Sequence, residues 1–261
     1  GAITINAKGV VVTASSPTVT YGDVIPSITP SYGDFVNGQS STVVSNTSCT
    51  TVYVRTSNVG SLPATSCSGA TAANYSFTYT SGSVVIEKKT LTATASSHSV
   101  TYGDAKPTVT PSYDGFVNSQ NATALTTAPT CDTTYSTTSG FGTVASTCSG
   151  GVATNYSFSF TPGVISVAKK TLTVTASSHI VTYGDSAPSP TPSYDGWVNS
   201  QGVGAITTAP TCTTAYTNTT AVASSGIATS CSGGLATNYA FTFVAGAITI
   251  NAKGVVVTAS S

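Results

Sequence analysis

Lys89–Asp104 reads KTLTATASSHSVTYGD, and Lys170–Asp185 reads KTLTVTASSHIVTYGD. From the leucine onward, apolar residues alternate with threonine in both. That is the period of a strand that buries one face. Each stretch ends in Thr-Tyr-Gly-Asp, where Gly-Asp turns the chain. The same tetrapeptide stands at Thr20–Asp23, so the three copies are spaced 81 residues apart. Pro-Ser-Tyr recurs at Pro30–Tyr32, Pro111–Tyr113 and Pro192–Tyr194, and Asn-Tyr at Asn74-Tyr75, Asn155-Tyr156 and Asn238-Tyr239. Lys8, Lys89, Lys170 and Lys253 open the successive copies. The chain therefore divides into repeats 8–88, 89–169 and 170–252. Residues 1–7 read as the last strand of a preceding repeat and 253–261 as the first strand of a following one. A repeat of this length can bury a small core of its own, unlike the shorter units of solenoids.

Outward from the opening strand, each repeat carries the same series of short signals. A proline follows the turn (Pro26, Pro107, Pro188), where a missing ladder donor suits an edge or a bend. The stretch Phe116–Ala124 has weak strand character and room for one helical turn. The clearest alternation is Tyr156-Ser157-Phe158-Ser159-Phe160, repeated at Tyr75–Tyr79 and Tyr239–Phe243. A glycine turn leads into a closing strand such as Val164–Val167. That strand runs into the next opening strand without a Gly/Ser- or Pro-rich spacer. The expected class is all-β: three tandem domains, each an Ig-like sandwich or a β-grasp-like sheet with at most one short helix, in an elongated linker-free array. Gly246–Ser261 repeats Gly1–Ser16 (GAITINAKGVVVTASS) at every position. This identity reads as a superrepeat of 245 residues that restarts at Gly246, with the chain a window on a longer array.

Composition excludes several classes. Only 6% of residues are charged, with 8 Lys+Arg against 8 Asp+Glu, whereas 50 are Thr and 39 are Ser. Eight scattered cations cannot build a phosphate-binding face, so no nucleic-acid partner is expected. Acid–base catalysis needs placed His or Glu, and the chain has 2 His and the single Glu87. No enzyme activity, cofactor or metal is expected. No apolar run approaches the length of a membrane-spanning helix.

Six cysteines fall two to a repeat: Cys49/Cys67, Cys131/Cys148 and Cys212/Cys231. The second of each pair lies eight residues before the Asn-Tyr tyrosine. A fixed position amid varying sequence favours a local disulfide in each repeat, against zinc sites or bridges between chains. Closing a loop of that length adds about 3 kcal/mol in the chain-entropy model. Disulfides persist in oxidising compartments, which places the chain outside the cell.

The combination KTLTVTA, VTYGD, a proline, FVN or WVN, Asn-Tyr-x-Phe and GxIxVxKK resembles the MBG domain of the YGX type, three times over. The resemblance implies tandem domains of a bacterial cell-surface or adhesin-like protein with a stalk or fibre role, and it carries no catalytic residues. Two features depart from the family's pattern as known: the cysteine pair and the low charge. The expected partners are adjacent repeats and identical neighbouring chains in a filament. The alternative is a glycan- or mucin-binding module, with Tyr32, Tyr113 and Tyr194 as the candidate stacking residues. The recurring aspartates Asp23, Asp104 and Asp185 read as turn residues rather than calcium ligands. His98 and His179 read as exposed loop residues, and Lys88-Lys89 and Lys169-Lys170 as solubilising charge.

Overall fold

The computed structural model describes residues 1–222 and 226–259. It is nearly all β. The opening strands are Lys8–Ala14, Lys89–Ala95 and Lys170–Ala176. Their inward residues are Val10, Val12 and Ala14 in the first, Leu91, Ala93 and Ala95 in the second, and Leu172, Val174 and Ala176 in the third. All nine are buried, with threonines on most of the intervening positions. Each opening strand is the centre of a three-stranded sheet. On one side it pairs antiparallel with Pro30–Tyr32, Pro111–Asp114 or Pro192–Asp195. On the other it pairs in parallel with the aromatic strand Tyr75–Thr80, Tyr156–Thr161 or Tyr239–Val244. The register is the same each time: Lys8 opposite Tyr75, Lys89 opposite Tyr156, Lys170 opposite Tyr239.

A second parallel pair joins the strand before the Thr-Tyr-Gly-Asp turn to the closing strand: Thr18–Thr20 with Val85–Glu87, His98–Thr101 with Gly163–Ala168, and His179–Thr182 with Gly246–Asn251. Parallel neighbours need a long crossover, which here contains the cysteine hairpin. These pairs set the topology apart from an all-antiparallel sandwich. The helical turn expected near Phe116–Ala124 is a 3-10 turn at Ala122–Ala124, with counterparts at Ser41–Val43 and Val203–Ala205. No helix packs on a sheet among the described residues.

The chain forms two compact units, one of residues 1–95, 110–131 and 147–162, the other of residues 96–109, 132–146 and 163–261. The division passes through the second repeat. In the first unit, one cluster gathers Val12, Ala14 and Phe77 around the Cys49–Cys67 disulfide. A larger cluster combines Tyr21, Tyr53, Val84 and Ile86 of the first repeat with Leu91, Ala153 and Tyr156 of the second. In the second unit, Val174, Ala176 and Phe241 pack on Cys212–Cys231. There Tyr102 meets Tyr239 edge-on at 5.6 Å, as Tyr21 meets Tyr156 in the first unit. Apolar clusters therefore lie around the Cys49–Cys67 and Cys212–Cys231 disulfides and across the junction between the first two repeats.

Buried hydroxyls are paired. Thr65, Ser146 and Thr229, all fully buried, donate to the carbonyls of Ser15, Ser96 and Ser177, just beyond the opening strands. Each bond ties a cysteine strand to the end of an opening strand.

The two copies of GAITINAKGVVVTASS behave differently. Gly246–Asn251 is a strand with Ile248 fully buried, whereas residues 1–7 form no strand and Ile3 is 91% exposed. Conversely, Lys8–Ala14 is a strand with Val12 buried, whereas residues 253–259 form none and Val257 is 90% exposed. Residues 1–7 and 253–259, read as strands of a preceding and a following repeat, have no strand partner within residues 1–261, and Ser260 and Ser261 lie outside the described residues. The reason is pairing: an opening strand needs an aromatic strand beside it, and a closing strand needs its parallel neighbour.

Leu91 is fully buried in the junction cluster. Leu91→Ala will lower the unfolding free energy by about 2–5 kcal/mol. Amide protection will fall not only in the second repeat but also at Val85–Glu87 of the first. Hydrogen exchange reads this directly, and unchanged protection at Val85–Glu87 would show that the repeats stand independently.

Candidate functional site

The three disulfides are Cys49–Cys67, Cys131–Cys148 and Cys212–Cys231, each with a Cα separation of 4.0 Å. Cys49 and Cys67 are direct partners across an antiparallel pair, as are Cys212 and Cys231. Tyr32, Tyr113 and Tyr194 are half-buried, each beside an aromatic neighbour: Phe35, Phe116 and Trp197. The Tyr32 hydroxyl donates to Thr47 Oγ1 at 2.8 Å. Burial raises the hydroxyl pKa of Tyr113 and Tyr194.

The recurring aspartates work within their turns. Carboxylates of Asp23, Asp104 and Asp185 accept from the backbone N–H of Thr20, Thr101 and Thr182 at 2.9, 2.7 and 2.7 Å. Their carbonyls accept the hydroxyls of Tyr53, Tyr135 and Tyr216. His98 and His179 are half-buried first residues of strands rather than exposed loop residues, and each ring Nε2 meets a serine hydroxyl. Among the described residues, no group of three or more His, Cys, Asp or Glu is placed to hold a metal.

The most built feature of the surface-derived polar residues is the junction between repeats. In the first unit, Gln120 Oε1 accepts two tyrosine hydroxyls, Tyr156 of its own repeat at 2.6 Å and Tyr21 of the preceding one at 3.3 Å. Asn118 Nδ2 donates to the Arg55 carbonyl at 2.9 Å. Asn155 accepts from the Val59 N–H at 2.9 Å and donates to Asn58 Oδ1 at 2.8 Å. Lys88 donates to the Ala153 carbonyl at 2.8 Å.

The second unit repeats this almost bond for bond. Gln201 accepts Tyr239 at 2.7 Å and Tyr102 at 3.1 Å. Asn199 donates to the Thr137 carbonyl, Asn238 accepts from the Phe141 N–H, and Lys169 donates to the Ala236 carbonyl. Of the lysines read as solubilising charge, Lys88 and Lys169 therefore serve as junction ties.

Backbone geometry presents these side chains. Asn118 and Ser119 both lie in the left-handed region (φ 55° and 58°), as do Asn199 and Ser200, so Val-Asn-Ser-Gln makes a tight turn. The valine of that turn fills the space over a glycine of the preceding repeat. A Cβ on Gly22 would lie 2.5 Å from Val117, and one on Gly103 2.7 Å from Val198. The glycine of Thr-Tyr-Gly-Asp is thus required twice, by its positive φ and by the neighbouring valine.

Electrostatics at the junction act through burial rather than charge. Burial raises the hydroxyl pKa of Tyr53, Tyr135 and Tyr156. Asp23 and Asp104 add to the effect at Tyr53 and Tyr135, and the Val117 N–H partly offsets it at Tyr156.

Sequence reasoning found the Asn-Tyr and Val-Asn positions but missed the glutamines. Their signal was present: the chain's three glutamines, Gln39, Gln120 and Gln201, are spaced 81 residues apart. A residue type that occurs only at the repeat period marks a repeated contact.

Fold and junctions define a class: tandem all-β repeats, disulfide-bonded within and locked to one another between. The family model for the MBG domain (YGX type) matches residues 10–85, 91–166 and 172–249, and the chain belongs to that family. Among curated proteins, no sequence matches it.

Two outcomes follow from the junction geometry. Gly103 and Gly184 share the same backbone strain (φ +93° and +92°), but a Cβ on Gly184 meets nothing nearer than Lys253 Nζ at 3.9 Å. Gly103→Ala will therefore destabilise the chain by about 1–3 kcal/mol more than Gly184→Ala, the cost of overpacking against Val198. Equal losses in denaturant unfolding would mean a loose junction. For pH, the sign follows from the raised tyrosine values. The unfolded chain releases these protons first, near the ordinary value of 10.0, so stability holds below that pH and falls as pH climbs through the folded-state values. Tyrosinate absorbance will show a late-titrating class that moves to the ordinary range on unfolding.

Proposed function

We propose that this chain is a structural segment of an extracellular tandem-repeat fibre of the cell surface, with a mechanical role. The observation that carries the reading is the junction. Tyr21, Tyr53, Val84 and Ile86 share one apolar cluster with Leu91 and Tyr156 of the next repeat, under a polar lock centred on Gln120. Linked domains usually meet through modest, polar contacts and move against one another. A shared core resists that motion, which suits a stalk that must hold its reach.

Three further features support it. One disulfide per repeat fits life in an oxidising compartment. A surface of threonine and serine with few charges is insensitive to the salt of its surroundings. The family match supports a repeat-built structural module.

Single-molecule stretching tests the mechanical role. Oxidised, each repeat unfolds with the segment between its cysteines locked. That segment spans 18, 17 and 19 residues in the three repeats. Reduction will lengthen each unfolding step by about 60 Å, from roughly 3.3–3.6 Å per extended residue. The steps will need high force when oxidised, because the disulfide joins strands that pack on the opening sheet. Unfolding at low force in the oxidised chain, together with binding of isolated repeats on a glycan array, would favour the adhesive-module reading instead.

A further inference from the structure

We propose that the first repeat carries a docking groove for an extended polypeptide segment of a partner protein, one that places an Asp or Glu side chain between apolar ones. The proposal goes beyond the fibre reading, which would survive its failure: a stalk can hold its reach without binding anything along its side.

The argument begins with an arginine that the junction does not need. Arg55 is the chain's only arginine, and its carbonyl accepts from Asn118 at the first junction. At the second junction the same bond goes to the carbonyl of Thr137, and the glutamine, asparagine and lysine bonds are kept. The tie therefore uses backbone, and the guanidinium is surplus to it. Its Nε donates to the Gly22 carbonyl at 3.2 Å, which leaves the terminal nitrogens without a partner among the described residues. Arg55 and Lys89 line a recess of about 480 Å³ whose apolar walls are Val19, Val24, Pro26 and Val117. Neither cation forms an ion pair among the described residues. Asp23 also lines the recess, but its carboxylate accepts from the Thr20 N–H at 2.9 Å, and the cations outnumber it. A free guanidinium beside apolar walls suits a carboxylate, which its planar fork can hold with two bonds.

A second recess, of about 490 Å³, meets the first at Pro26 and lies between residues 25–28 and 49–51. Residues 49–51 belong to Ser48–Thr51, the outer strand of its sheet. One row of its backbone groups therefore has no strand beside it. Ile25 in this recess, and Val54 next to Arg55, are each more than half exposed. The other repeats are built differently here. Ile25 and Val54 give way to Lys106 and Ser136 in the second repeat, and to Ala187 and Thr217 in the third. Arg55 gives way to Thr137 and Asn218. In the second repeat Lys106 pairs at 2.7 Å with Asp132 of the outer strand, and charge on an edge discourages strand pairing. Ser48–Thr51 carries no charge.

An extended peptide satisfies both recesses. Along Ser48–Thr51 it supplies the missing strand, and its alternate side chains reach one face. An acid among them meets Arg55 and Lys89, while an apolar neighbour enters beside Pro26 and Ile25. A sugar acid would share the charge, but no aromatic ring lines either recess to stack on a sugar.

The test presents the full 261-residue chain, oxidised, to a library of short random peptides. Selected peptides should carry an Asp or Glu with apolar residues at alternate positions around it. Arg55→Thr and Ile25→Ala install residues that other repeats already use, and circular dichroism should match the parent. A selected peptide should bind Arg55→Thr at least about tenfold more weakly, the loss of hydrogen bonds to a charged group. Ile25→Ala should weaken it severalfold. Replacing the peptide's acid by its amide should cost the parent the same factor and cost Arg55→Thr almost nothing. Selected peptides that lack an acid overturn the proposal, as do peptides whose affinity both substitutions leave unchanged. So does a library that yields no binder, including the case in which sialyllactose or an oligogalacturonate binds instead.

Discussion

Leu91 and its neighbours across the junction are the contact on which the rest of this chain depends. A repeat of this length has little interior to spare. Around two of the disulfides the opening strand offers small side chains, Val12 and Ala14 or Val174 and Ala176, which fit beneath two cysteines and bury modest area. The larger apolar groups, Tyr21, Tyr53, Leu91 and Tyr156, are held back for the junction. The chain thus divides its cohesion between a covalent staple inside each repeat and a hydrophobic cluster between repeats. Compactness follows the second of these, so the boundary between compact units passes through a repeat rather than between two.

The polar lock depends on that cluster. Hydrogen bonds among tyrosine, glutamine and asparagine gain little net free energy where water competes for the same groups. Beside a buried cluster they are shielded, and a missing partner becomes costly. That cost makes the contact selective: a tyrosine hydroxyl without a glutamine, or a valine without a glycine beneath it, is penalised. The lock uses uncharged donors and acceptors apart from its lysine, so 6% charge is compatible with tightly specified neighbours.

Much of this was legible in the sequence. The 81-residue period showed the repeats, alternation showed the opening and aromatic strands, and the turn residues showed why Asp23, Asp104 and Asp185 recur. These are local signals, carried by spacing and by the chemistry of single residues. Strand partners were not legible, because alternation marks a buried face and is silent about which strand lies alongside. The parallel pairing of Lys89–Ala95 with Tyr156–Thr161 spans most of a repeat. His98 and His179 were misplaced for the same reason: a residue beside two serines looks like loop until its parallel neighbour is known.

The two identical segments mark the limit most clearly. By itself the sequence determined the repeat, the strand period and the residues able to form each contact. Only the tertiary structure decided which copies became strands. Ile248 is buried and Ile3 exposed, Val12 buried and Val257 exposed, though the residues around each pair are the same. A strand's backbone groups are satisfied by a neighbour rather than by the segment itself. A sequence can therefore prescribe a strand's faces without forming it, and the outcome waits on whether an aromatic strand or a parallel partner lies beside it.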